Sequence, residues 1–533
     1  MSKPDDIIII GAGHNGLTCA CYLARAGLRV RVLEARHVVG GAAVTEEFHP
    51  GFRNSTASYT VSLLNPKVIR DLNLHEHGLK IVERPMSNFL PLENRDALCL
   101  GPGRQDTLNE VARFSRRDAG QWPAFEAMLD GAAAALRDMI LQTPPNVGGG
   151  LTDLIHALRD GRQFARMDAE ARRDLLALFT RSATDILDQW FESDAVKAIL
   201  GFDSIVGNYA SPDTPGSAYV LLHHVFGEVN GKPGAWGHAI GGMGAITQAM
   251  AREAERLGVV IEIEAPVARL RSEKGAVQGV ELVDGRFLPA RRVAANVGPK
   301  RLYLELIEAD DLPADFRRRM EGFRCASGTF RMNVALSELP RFTARPETGP
   351  HLSSGIVIAP SLRYMDQAWL DARATGMAKR PVVEMLIPST LDDSLAPEGQ
   401  HVASLFCQHF APEGPPGGWS DQARQQAVDA ILDTVNEFAP NFRDSIVGQL
   451  ALSPADLEAR FGLVGGDIFH GALQLDQLYS ARPMLGYGDY RGPIKGLYHC
   501  GSGAHPGGGV TGAPGHNAAR EILRDRRWYE RLV

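Results

Sequence analysis

Four isoleucines, Ile7 to Ile10, run straight into Gly11-Ala12-Gly13-His14-Asn15-Gly16, and few patterns restrict a fold as sharply. A short, wholly apolar run before a glycine-rich turn reads as a buried parallel strand. Gly11 permits the tight turn, Gly13 lets the backbone approach a diphosphate, and Gly16 lets a helix close on the strand. That helix, Leu17 to Gly27, would turn its free N–H groups and dipole toward an anion. Arg29-Val30-Arg31-Val32-Leu33 then alternates into a second strand. Glu34 stands at its end, where a carboxylate accepts hydrogen bonds from adenosine ribose hydroxyls. A lone glycine pattern is a weak signal; strand, helix, second strand and carboxylate in this order describe a dinucleotide-binding unit.

The rest of the sequence indicates which dinucleotide. Gly40-Gly41-Ala42 offers a second backbone approach to the diphosphate. Near the other terminus, Leu497-Tyr498-His499-Cys500 reads as a strand feeding Gly501-Ser502-Gly503-Ala504-His505-Pro506-Gly507-Gly508-Gly509, with a helix expected to begin near Val510. A helix N-terminus aimed at the pyrimidine end of an isoalloxazine stabilises the negative charge that reduction places there. Gly507 to Gly509 should leave room for the flat ring. One FAD gripped by both termini is therefore expected. No second nucleotide loop is visible: Gly501-x-Gly503 has Pro506 at its third position, and Gly101-Pro102-Gly103 opens no helix of that spacing. Oxygen or a quinone, rather than a bound nicotinamide, is the expected electron acceptor.

Charge and cysteine usage exclude other classes. A net charge of −7 argues against nucleic acid as a partner, because phosphate neutralisation needs a concentrated basic face. The 6 cysteines contain no C-x-x-C, so neither zinc nor a redox disulfide is indicated, and a reducing, cytoplasmic setting is expected. The adjacent His223 and His224 lack a carboxylate at ligand spacing, so no metal is expected. No run reaches the ~20 apolar residues of a spanning helix. Leu151, Leu154, Ile155 and Leu158 recur at helical spacing among Arg159, Arg162, Arg166, Arg172 and Arg173. Peripheral membrane contact is one reading of that stretch; a solvated helix face is the other. Oligomeric state is not legible.

The chain resembles phytoene desaturase-related FAD oxidoreductases, within the superfamily of flavin amine oxidases and carotenoid desaturases; carotenoid ketolases share several motifs. The residues that carry the likeness are Gly11 to Gly16, Gly40 to Glu47, Ser58-Tyr59, Gly466-Asp467-Ile468-Phe469-His470-Gly471 and Cys500 to Gly509. Many relatives have Arg after the glycine pair where this chain has Ala42, which weakens the analogy to amine oxidases. The resemblance implies an α/β fold: a Rossmann-type FAD-binding domain from residues 1–75, 232–300 and 455–533. A discontinuous mixed-sheet and helical substrate domain would come from 76–231, largely helical, and 301–454. It implies a cofactor set of Gly11, Gly13, His14, Asn15, Gly16, Glu34, Ala35, Gly40, Gly41, Ala42, Val267, Asn296, Gly501, Ser502, Gly508, Gly509 and Val510, with Val267 meeting adenine through its backbone.

The implied reaction is dehydrogenation of an apolar small molecule, in which flavin oxidising power and alignment supply most of the effect. Flavin amine oxidation, or non-catalytic binding of a lipid or partner on the same fold, are the alternatives. His470, Asp467 and His505 are the polar candidates for acid–base work, because their motifs should border the ring. Each could equally brace a glycine-rich loop. Cys500 could carry a covalent flavin link but reads better as a buried strand cysteine.

Overall fold

A computed structural model describes residues 5–146 and 149–526. Its first sheet has five strands in the order Val260–Glu262, Val30–Leu33, Ile7–Ile10, Val293–Ala295 and Leu497–His499, all parallel. The four isoleucines are wholly or almost wholly buried, and their strand period of two divides them between two cores. Ile7 and Ile9 pack with Leu17, Ala20 and Ile246 beneath the helices. Ile8 and Ile10 pack with Val280, Leu282 and Leu302 on the opposite face. There a three-stranded antiparallel sheet, Val267–Glu273, Ala276–Leu282 and Phe287–Pro289, covers the parallel one. A continuous apolar strand is thus the consequence of burial on both faces.

A second, seven-stranded sheet runs in the order Ile446–Leu452, Phe330–Leu336, His401–Phe410, Met377–Leu386, Gly355–Ile358, Asn88–Pro91 and Ala97–Leu100. Helix Asp421–Phe438 covers one face through Ala427, Ile431 and Val435. Helices between Arg104 and His223 cover part of the other, with Phe125, Leu187 and Ile199 against Leu98 and Val357.

One local expectation changes. The edge strand is Val260–Glu262, and the apolar residues 382–386 and 402–406 lie within strands of ten residues each. The C-terminal helix starts at Ala513 rather than near Val510, because Gly512 (φ +73°) turns the chain and Pro514 suits a first helical turn. Leu151, Leu154, Ile155 and Leu158 do share one helix, Leu151–Arg166, but face outward, 55 to 74% exposed. Among the described residues, no helix is long and apolar enough to cross a membrane.

Candidate functional site

The loop after Ile10 builds a groove from backbone. Gly11 has φ +95°, open to glycine, and Gly13 caps the helix His14–Arg25. A Cβ on Gly16 would stand 2.2 Å from the Gly11 carbonyl oxygen, so the helix lies as close to the strand as its backbone allows. Glu34, 6% exposed, accepts from the Ala12 N–H at 2.8 Å and the Arg36 N–H at 3.0 Å. Asn296, at the end of the neighbouring strand, lies against the loop. With its amide oxygen turned inward it accepts from the N–H groups of Gly13 and Gly16 at 3.2 Å each.

These elements wall a cleft of about 260 Å³. Gly11, Gly13, His14, Glu34, Ala35, Gly40, Gly41, Ala42, Val267, Asn296 and Ser502 all line it, as does His470. Two buried polar atoms at the helix start, His14 Nε2 and Asn15 Oδ1, have no hydrogen-bond partner. Burial pushes the His14 imidazole down to about 4, so it is neutral at pH 7. A bare backbone cradle, a helix N-terminus and unpartnered side-chain atoms fit the adenosine diphosphate half of FAD.

The two terminal motifs meet here. Asn15 Nδ2 donates to Ser502 Oγ at 3.0 Å, and a Cβ on Gly501 would touch Asn296 at 3.2 Å. The expected ring end is arranged differently. Gly508 and Gly509 do present bare backbone, but Phe469 and Leu63 rest on it: a Cβ on either glycine would stand 2.5 Å from Phe469 Cδ1 or 2.4 Å from Leu63 Cδ1. Val510 (φ +57°) lies beyond them, 9% exposed. The open cleft therefore ends at His470 and Ser502, and seating a ring at the glycines requires these two apolar side chains to swing aside.

The three polar candidates differ in their surroundings. His470 holds φ +57° with its N–H donating to the Asp467 carbonyl at 3.2 Å, and its imidazole is driven down to about 3 by burial. Asp467 is fully buried and accepts from the N–H groups of Ala326 (2.9 Å), Phe469 (2.8 Å) and Gly471 (3.2 Å). Burial pushes its carboxyl up to about 6 against the pull of those N–H groups. His505 is hydrogen-bonded through Nε2 to the Met139 carbonyl at 2.9 Å and lies edge-on to Tyr479. Only His470 among them faces the cleft.

Other groups take places that the sequence did not signal. His223, 3% exposed, has no hydrogen-bond partner on either ring nitrogen, lies edge-on to Phe469 at 5.6 Å, and borders a cavity of about 110 Å³ with Pro506 and Thr511. Burial pushes its imidazole down to about 3. The outer cleft wall comes from Arg460 and Phe461, with Arg36 and Arg460 both paired to Glu46 at 2.6 and 3.0 Å. Nothing near Arg460 signals a cofactor in sequence; only the fold brings it there.

Known proteins bear on this arrangement. The family model of flavin containing amine oxidoreductases matches residues 16–523. Pyridine nucleotide-disulfide oxidoreductase domain-containing protein 2 of Rattus norvegicus is 41% identical over 98% of this chain and 94% of its own length. One of the limonene dehydrogenase subunits of Castellaniella defragrans is 25% identical, covering 98% and 95%. The lycopene-forming phytoene desaturase of Pseudescherichia vulneris is 26% identical, covering 95% and 96%.

Proposed function

This chain belongs to the flavin-containing amine oxidoreductase family, and is thereby an FAD-dependent oxidoreductase; on that footing we propose that it dehydrogenates an apolar small molecule, with oxygen or a quinone as electron acceptor. The observation that carries the reading is the joining of Asn15 to Ser502, 487 positions apart, beside a cleft that fits the adenosine diphosphate half of FAD. Two relatives are named for limonene and phytoene, both hydrocarbons, which supports an apolar substrate. FAD, when bound, would supply a two-electron oxidant that accepts a hydride from one substrate carbon, while the neighbouring carbon loses a proton to solvent as the double bond forms. The Gly11–Gly16 loop, Glu34 and Asn296 would hold and orient the cofactor, and Phe469 and Leu63 would have to swing aside to admit its ring.

Anaerobic flavin bleaching against hydrocarbons, polyenes, lipids and amines tests the reaction. An apolar compound is expected to bleach the flavin, whereas NADH and NADPH should do so slowly because only one nucleotide loop exists. Bleaching by amines alone would transfer the chain to the amine-oxidising branch. Purification without flavin, and no reconstitution, would favour a non-catalytic binding protein.

A bilayer surface is the expected source of such a substrate. Leu151, Leu154, Ile155 and Leu158 form one exposed apolar stripe, followed by the exposed Arg162 and Arg166. Burying each leucine or isoleucine contributes about 1.5–3 kcal/mol, and arginines add attraction to anionic headgroups. The protein should co-sediment with vesicles containing phosphatidylglycerol, and serine at the four positions should abolish this. Equal sedimentation of the variant would remove the stripe from consideration.

A further inference from the structure

The two side chains that rest on Gly508 and Gly509 also border the cavity of about 110 Å³ or its lining. Leu63 lines it, and Phe469 lies edge-on to His223, which lines it as well. The cavity shares no lining residue with the cofactor cleft. Its walls are tied to one another: the Asn65 N–H donates to the Thr511 carbonyl at 3.1 Å, and the Glu228 N–H to the Ser62 carbonyl at 3.0 Å. Asn65, Arg137 and Glu228 are half-buried and form its outer rim, whereas Leu63 and His223 are buried at its inner end.

His223 and His224 are adjacent but not alike. His224 is bonded through Nδ1 to the Val220 carbonyl at 2.8 Å, while neither ring nitrogen of His223 has a partner. Buried polar atoms left unmade are costly, and packing alone would be served better by an apolar side chain. The His223 imidazole is neutral at pH 7, so it carries one N–H donor and one lone-pair acceptor. Both nitrogens are buried, yet the ring borders the cavity. A half-turn about Cβ–Cγ exchanges each nitrogen with a ring carbon, and no hydrogen bond holds the ring against it. Size sets a further limit. An apolar cavity of about 150 Å³ admits benzene, so this one takes a head of only a few heavy atoms. The rest of a longer ligand must continue between Leu63 and Phe469, both apolar.

We propose that this cavity holds the polar end of the substrate and that the substrate is an apolar alcohol: its hydroxyl pairs with His223, and its chain runs past Leu63 and Phe469 toward Gly508 and Gly509. A hydroxyl both donates and accepts, so it suits whichever nitrogen faces it in either tautomer. A carboxylate only accepts and would meet Glu228 at the rim; an ammonium only donates and would meet Arg137. A hydrocarbon leaves the histidine unmade. The inference deepens the proposed reaction, and rests on it only for what becomes of the chain.

The test is calorimetric titration of the holoprotein with 1-octanol and with 1-fluorooctane, which is nearly the same size and has no O–H. His223→Leu should weaken 1-octanol at least about tenfold, leave 1-fluorooctane unchanged, and melt no lower than wild type. His223→Gln, with an amide donor and acceptor, should keep part of the octanol affinity. Ile140→Trp, which fills the cavity, should remove binding of both compounds, and it decides the matter if His223→Leu loses FAD. No octanol binding by the wild type, equal octanol binding in His223→Leu, or octanol binding that survives Ile140→Trp overturns the site. Adsorption to the exposed leucine stripe would survive both variants and counts against it. Tighter binding of octanoate than of 1-octanol would overturn the alcohol. Octanol binding that behaves as expected, with no flavin bleaching by any apolar compound, would leave the site standing and defeat the proposed reaction instead.

Discussion

A Gly13→Val variant should purify folded and colourless. Gly13 sits at φ −72°, ψ 170°, a conformation valine adopts freely, so the backbone sets no obstacle. The obstacle is space. A Cβ there would stand 2.8 Å from Asn296 Nδ2, and the branched methyls would project beside the cleft that the diphosphate needs. Overpacking costs about 1–3 kcal/mol, and the lost backbone approach adds to it. FAD affinity should fall by about a hundredfold or more. Flavin content by visible absorbance and a circular-dichroism melt check this together. Full occupancy in the variant would show that the loop is misassigned. Gly16→Val is the contrast: its Cβ meets the Gly11 carbonyl oxygen at 2.2 Å, rigid backbone rather than a side chain, so this variant should lose fold as well as flavin.

The N-terminal grip was legible because its chemistry demands particular residues at particular places. Only glycine takes the φ of +95° at Gly11 without strain and lets helix and strand meet at Gly16, and the Glu34 carboxylate accepts from the loop's own Ala12 N–H. Such requirements leave a pattern that survives without an alignment. The ring end was legible as a motif but not as a shape. Bare backbone at Gly508 and Gly509 invites any apolar neighbour, and Phe469 and Leu63, distant in sequence, are the ones the fold delivers. The outer wall at Arg460 and Phe461 was invisible for a related reason: a cation paired with Glu46 looks like any surface arginine until the chain is folded. The sheet at 330–410 hides its charge in another way. The run Val382 to Leu386 is apolar on average, but strand alternation sends Val383 and Met385 to the core and leaves Glu384 on the face that carries Arg331. Period two, applied residue by residue, contains that charge; an average over the run does not.

Arg482 carries the largest expected effect on stability. It is fully buried, and its guanidinium donates to five main-chain carbonyls: Phe469 (2.7 Å), Gly471 (3.2 Å), Ala472 (3.3 Å), Gln477 (3.2 Å) and Ser502 (3.0 Å). Four of these belong to the irregular segment after Asp467, which has almost no regular structure to satisfy its own backbone, and the fifth belongs to the C-terminal glycine motif. The arginine therefore substitutes for the missing secondary structure and ties His470 and Ser502 to the same side of the cleft. Arg482→Met keeps most of the volume and removes every donor. Several buried carbonyls left without a partner cost about 1–3 kcal/mol each, not additively, and losing one member of a buried polar network costs about 3–5 kcal/mol in all. Lysine at this position should rescue little, since a point charge with three donors cannot span five carbonyls. The exposed Arg318, 78% accessible and paired with Asp315 at 2.5 Å, provides the control: its methionine variant should stay within about 0.5 kcal/mol of wild type. Thermal melts of the three variants, with flavin release followed in the same scan, measure the difference. The methionine variant of Arg482 should shed FAD before it unfolds, because the segment holding His470 loosens first. A melting curve for Arg482→Met that overlays the wild type would mean that the loop is held by its neighbours, and that the hydrogen bonds to these five carbonyls contribute little to keeping the two ends of the chain around one cofactor.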